Sequence, residues 1–198
     1  MNTNVDPRAA TRGRRWFTRS SRLLLAGLVA AMAALSLVAQ VAFAGPPSPT
    51  GVPGQIQPDT ASNKVFLIGH GVGVQIYTCD GSAWSSAVPR ANLYDDNGKL
   101  IIHHFAGPSW QAKDGSTAVG TPLKAVTPDT SAIPWVLLST TTTPGPDGDR
   151  LVDTTFIQRL STVGGLQPPA ADCNAATAGT VVESPYTAEY VFWKHTAA

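Results

Sequence analysis

Short apolar runs separated by turn residues fill the chain from residue 64 onward. Val65-Phe66-Leu67-Ile68 is a strand candidate. The segment Gly73-Val74-Gln75-Ile76-Tyr77-Thr78-Cys79 alternates, with Val74, Ile76 and Thr78 on one face and Gln75, Tyr77 and Cys79 on the other. Asp80-Gly81 turns the chain, and residues 90–94 form the next strand. Asp96-Asn97-Gly98 is a hairpin turn, because Asn-Gly adopts positive φ at little cost, and residues 100–105 return. Gly107-Pro108 breaks the run before Ser109-Trp110-Gln111-Ala112, and Asp114-Gly115 turns again ahead of a short strand at residues 117–119. Residues 133–138 are an apolar strand whose Pro134 marks its start or a sheet edge. Residues 144–148 are a loop, and the β-branched stretch 154–162 is a further strand that also passes as a helical turn over residues 156–160. Residues 180–183 and 186–193 read as a closing strand pair. No segment carries a sustained 3.6-residue apolar stripe, so helix is limited to one or two short pieces, one of them at residues 172–178. Many short strands between Gly, Pro and Asp turns predict a mainly β domain, a compact antiparallel sandwich or barrel.

The first 44 residues follow a different pattern. Six Arg (Arg8, Arg12, Arg14, Arg15, Arg19, Arg22) and one acid, Asp6, precede the uncharged stretch 23–44, which ends in Ala42-Phe43-Ala44. A basic end, an apolar core and small residues at a peptidase site define a signal peptide, with cleavage expected before Gly45. An uncleaved anchor is the alternative, since the stretch is long enough to span the hydrocarbon core. Gly13-Arg14-Arg15-Trp16-Phe17-Thr18 resembles a twin-arginine signal, which sets that route beside the general one. Residues 45–62, rich in Pro, Gly, Thr and Gln, are an extended lead-in, and residues 63–198 form a single domain. The expected location is therefore secreted: extracellular, cell wall or periplasm.

Charge changes once this segment is set aside. The whole chain is formally +1, but residues 45–198 hold eight basic and 12 acidic residues, a net −4. Scattered cations on an acidic domain do not suit nucleic acid or an anionic membrane surface, so neither partner is expected, nor stable membrane association after cleavage. Both cysteines, Cys79 and Cys173, fall in the domain. An even count in an exported domain suggests a disulfide, with two buried thiols as the alternative. Paired, they close a loop of about 95 residues and stabilise by roughly 4–5 kcal/mol in the chain-entropy picture.

Several ordered motifs resemble one family. They are residues 73–79; His104-Phe105-Ala106-Gly107-Pro108-Ser109-Trp110 with Asp114-Gly115-Ser116; Ile133-Pro134-Trp135; Ile157-Gln158-Arg159-Leu160 with Gly164-Gly165; and Tyr186-Thr187-Ala188-Glu189-Tyr190-Val191-Phe192-Trp193. Together, over residues 53–195, they resemble the secreted bacterial and fungal family termed domain of unknown function 3455. The resemblance implies export and a compact domain, and supplies no activity, substrate or catalytic residue.

Candidate chemistry is sparse. His103 and His104 are neighbours on a strand and point to opposite faces. His104 with Asp114, across the Gly107-Pro108 bend beside Trp110, is the candidate general base or ligand site. A histidine that merely fixes the bend is the alternative. No metal is expected: His70, His104, His195, Asp80 and Asp114 lack ligand spacing, and the calcium-loop fragments at residues 95–98 and 147–149 read as ordinary turns. Ser109 and Ser116 lack a nucleophile elbow, no Gly-rich phosphate loop is present, and no cofactor is implied. The aromatics remain, with Trp84, Trp110 and Tyr77 as candidate ligand-binding residues, platforms for a carbohydrate or an apolar ligand. The leading reading is a secreted β-domain that binds a cell-surface component or small ligand without catalysis. An unfamiliar enzyme using His104 and Asp114, and a structural envelope protein, are the alternatives.

Overall fold

The computed structural model describes residues 45–196, and the expected signal segment lies outside them. Eight strands run in chain order: β1 (Asn63–Thr78), β2 (Val88–Tyr94), β3 (Leu100–Phe105), β4 (Ser109–Ala112), β5 (Thr117–Val126), β6 (Trp135–Thr143), β7 (Thr154–Gly164) and β8 (Val181–His195). Each pairs antiparallel with the next, and β8 pairs with β1, closing the barrel. The sandwich-or-barrel expectation resolves as a barrel. Helix among the described residues is confined to three 3-10 turns, Gly54–Ile56, Ala170–Asp172 and Ala175–Thr177. Ala175–Thr177 falls where a short helix was expected, and Ala170–Asp172 touches that range only at Asp172. No described helix is long and apolar enough to cross a membrane.

Two pairs of expected strands each merge into one strand, while β5 and β6 run beyond their expected ends, to Val126 and Thr143, and β6 starts at Trp135, after Pro134. The two early strand candidates are one strand, β1, because Gly69 and Gly71 continue it instead of breaking it. A Cβ on Gly71 would stand 2.7 Å from the Tyr190 ring, and one on Gly69 3.1 Å from the Leu93 side chain. These glycines let large inward side chains of the neighbouring strands approach the wall. The expected closing pair is likewise one strand, β8, running through Pro185. Pro185 pairs with Val74 of β1 just beyond the end of the β7 ladder at Tyr186, so its missing N–H leaves only a local edge unpaired.

Period-two alternation divides the side chains between inside and outside. Leu93, Ile102, Trp110, Ala118, Leu138, Ile157, Tyr190 and Phe192 fill the interior. A second cluster lies on the outer wall, where Leu137, Leu160, Val191 and Trp193 are covered by Ile56 of the lead-in. Gln158, fully buried, fastens that cover: its Nε2 donates to the Ile56 carbonyl at 2.6 Å, and its Oε1 accepts from Trp193 Nε1 at 2.8 Å. Cys79 and Cys173 form a disulfide, with Cα atoms 5.4 Å apart and 94 positions between them. It pins the loop after β7 to the end of β1.

Candidate functional site

Antiparallel pairing sets His104 of β3 directly across from Trp110 of β4, both facing inward. Their rings stack at 4.4 Å between centroids and 9° between planes. Tyr190 meets both edge-on, 5.1 Å from His104 and 5.8 Å from Trp110. His104 Nδ1 lies 2.9 Å from the Ser109 carbonyl, which can only accept, so Nδ1 carries the proton and Nε2 keeps a lone pair. Burial pushes the His104 imidazole down to about 4; the Ser109 bond opposes that shift and the Arg159 charge adds to it. The ring is therefore neutral at physiological pH. The Tyr190 phenol, buried and 2.9 Å from the Tyr186 hydroxyl, is pushed well above its ordinary value, chiefly by burial.

These rings form the floor of a cavity of about 310 Å³ at one end of the barrel. Its lining also includes Val88, Pro89, Ala106, Gly107, Pro108 and Pro122. Arg159 of β7, inward-facing opposite Tyr190, and Gln75 of β1 supply the other polar walls. Arg159 Nε and Nη2 both donate to the Pro134 carbonyl, at 3.2 and 2.9 Å. Gln75 and Trp110 are 2% and 1% exposed, yet Gln75 Nε2 and Trp110 Nε1 have no hydrogen-bond partner among the described residues. Buried polar groups are rarely left unpaired in native proteins, so each calls for an explanation.

Of the residues singled out in the sequence, only His104 and Trp110 meet here. Asp114 does not join them. The hairpin at residues 106–108 sits at one end of β4, whereas Asp114 follows the other end; Ala112 alone is already roughly 7 Å along the strand from Trp110. The Asp114 carboxylate accepts from Ser116 Oγ at 2.6 Å, Ser116 N at 3.0 Å and Arg150 N at 2.8 Å. The Ser116 hydroxyl foremost, then the Arg150 amide, holds its carboxyl below the usual range. Its work is to tie the β4–β5 turn to the loop before β7, and the His104–Asp114 pairing is not formed.

Trp84 and Tyr77 are also elsewhere. Both pack against the disulfide, 9% and 4% exposed. Trp84 Nε1 donates to the Pro169 carbonyl at 3.0 Å and Tyr77 Oη to the Gly165 carbonyl at 2.8 Å. Buried rings with their polar atoms already bonded offer no flat platform to a sugar. His103 points outward, 2.9 Å from Asn92 Oδ1, while His70 pairs with Asp96 at 2.7 Å and Asp80 caps its own turn through Ser82 and Ala83. Among the described residues no group of three or more His, Cys, Asp or Glu could hold a metal.

Sequence reasoning passed over Gln75 and Arg159. A signal for each existed: Arg159 shares a strand face with Ile157, and Gln75 shares one with Gly71 and Gly73. A polar residue at an inward position is unusual enough to mark a site.

The described residues define the class, a closed antiparallel β-barrel with a mixed apolar and polar cavity at one end. Within that class the chain belongs to the family described as "Protein of unknown function (DUF3455)", whose model matches residues 60–194. No curated protein and no solved structure matches it.

Proposed function

We propose that this domain works outside the cytoplasm, as a barrel that takes a small ligand into its end cavity and holds it without transforming it. The carrying observation is the cavity itself: a preformed hollow of about 310 Å³, lined by the stacked His104–Trp110 pair, by Gln75 and by Arg159. Specific small-molecule sites have this make-up, mostly apolar walls with a few convergent polar groups, and the volume is at the small end of their range. The Cys79–Cys173 bridge supports an oxidising location, where such bonds persist.

A fragment screen by saturation-transfer NMR tests the reading. Flat fragments should bind the wild-type domain and lose binding in Val136→Trp, which fills the cavity wall, while its melting curve stays cooperative. Absence of any binder, or equal binding to both proteins, overturns it.

A further inference from the structure

The cavity has a consistent electrical character. Among the described residues, Arg159 is the only charged one lining it, and no Asp or Glu does so. The described ion pairs, His70–Asp96 and Arg90–Glu183, leave Arg159 without a carboxylate partner. Its bonds to the neutral Pro134 carbonyl occupy Nε and Nη2 and do not neutralise it. A half-buried guanidinium facing an apolar hollow lacks the counter-charge that buried cations ordinarily have. Its field is felt inside: it helps lower the His104 imidazole and favours the ionised forms of Tyr186 and Tyr190.

The unpaired hydrogen-bonding groups have the same bias. Gln75 Nε2 and Trp110 Nε1, both buried, are donors without acceptors among the described residues. The phenols of Tyr186 and Tyr190 share one hydrogen bond, so whichever accepts keeps its own O–H to donate. His104 adds a lone pair at Nε2, which suits a ligand hydroxyl or N–H. The remaining walls are apolar, contributed by Val88, Pro89, Pro122, Val136 and Leu138. At about 30 Å³ per water in the liquid, the hollow holds roughly ten water-sized atoms.

We infer that the cavity is built for a small organic anion, a flat apolar body carrying a carboxylate, with Arg159 as its counter-ion and the His104–Trp110 stack as its floor. This rests on the proposal that the cavity binds ligands, and it adds the chemical class. Arginine suits the task because its planar fork meets a carboxylate through two parallel N–H bonds, and because it stays charged at any accessible pH. Closing that ion pair inside an apolar cavity is worth more than the same contact in open solvent.

Benzoate and benzamide separate the two claims, since they match in shape and differ in charge. Titrated into the wild-type domain by calorimetry, benzoate should bind at least tenfold more tightly than benzamide. Arg159→Gln should lose most of the benzoate affinity while benzamide is unchanged, and Arg159→Lys should recover part of it. Should Arg159→Gln fail to fold, the wild-type comparison still decides. Equal affinity of the two probes overturns the anion assignment and leaves the pocket standing. Binding of neither probe, or of any flat fragment, removes the pocket reading and this inference with it.

Discussion

His104 gives the sharpest test of how the interior is built. Its imidazole titrates near 6.5 in an unfolded chain and at about 4 in the barrel. A folded value below the unfolded one means that its stabilising contribution is fully present above pH 6.5. That contribution is lost as pH falls toward the folded value, since the unfolded chain then binds a proton that the barrel refuses. Working the linkage relation with these two values gives a loss of about 2 kcal/mol between about pH 7.5 and about pH 5, approaching about 3 kcal/mol at lower pH. The window belongs to this residue. Asp59, Asp80, Asp114 and Asp129 are held below 3.8 by hydrogen bonds, so their contributions are present above that value and fall away beneath it. Urea unfolding at both pH values measures the effect. The wild-type free energy should drop by about 2 kcal/mol, and His104→Gln, less stable throughout, should change little over the same interval. An equal drop in both proteins, or none in the wild type, would refute a neutral, sequestered imidazole stacked on Trp110.

Other expectations follow from the same geometry. Trp110→Ala empties the cavity floor and should cost about 3–5 kcal/mol, read as a lower urea midpoint with unchanged slope. Cys79→Ser with Cys173→Ser should lower stability by roughly 4–5 kcal/mol, and reduction of the wild-type domain should raise its intact mass by two hydrogens. Ile56→Ala should cost about 2–5 kcal/mol and raise hydrogen exchange along β7 and β8 on the outer wall that Ile56 covers. Asp114→Asn should leave ligand affinity unchanged, since Asp114 lies at the other end of β4, and should loosen only the loop before β7; an affinity loss matching that of a cavity residue would contradict the placement.

The strands of this fold were legible because β-branched runs and Asp-Asn-Gly or Gly-Pro turns are local signals. Closure was not, because pairing of β8 with β1 joins Asn63 to His195, a long-range match that alternation alone does not specify. Inward glycines hid the continuity of β1: the sequence shows a flexible residue, while the barrel uses the absence of a side chain to admit Tyr190. For the candidate site, the aromatic-rich motif at residues 104–110 holds His104 and Trp110, which are register partners across a tight hairpin. Asp114 is near His104 in sequence but not in space. A strand carries its two ends apart, and a residue beyond the far end cannot reach back. Arg159 and Gln75 stayed unseen because the cavity draws on strands distant along the chain, and only the closed barrel brings them to one hollow.

The central claim, that a small ligand sits on the His104–Trp110 floor, has one direct readout. Trp84 Nε1 and Trp193 Nε1 already donate to protein oxygens, whereas Trp110 Nε1 has no partner among the described residues. In an indole ¹H–¹⁵N spectrum titrated with benzoate, the Trp110 resonance should move and saturate while those of Trp84 and Trp193 hold still. A Trp110 resonance that stays fixed at saturating benzoate, or movement confined to Trp84 or Trp193, would contradict the account.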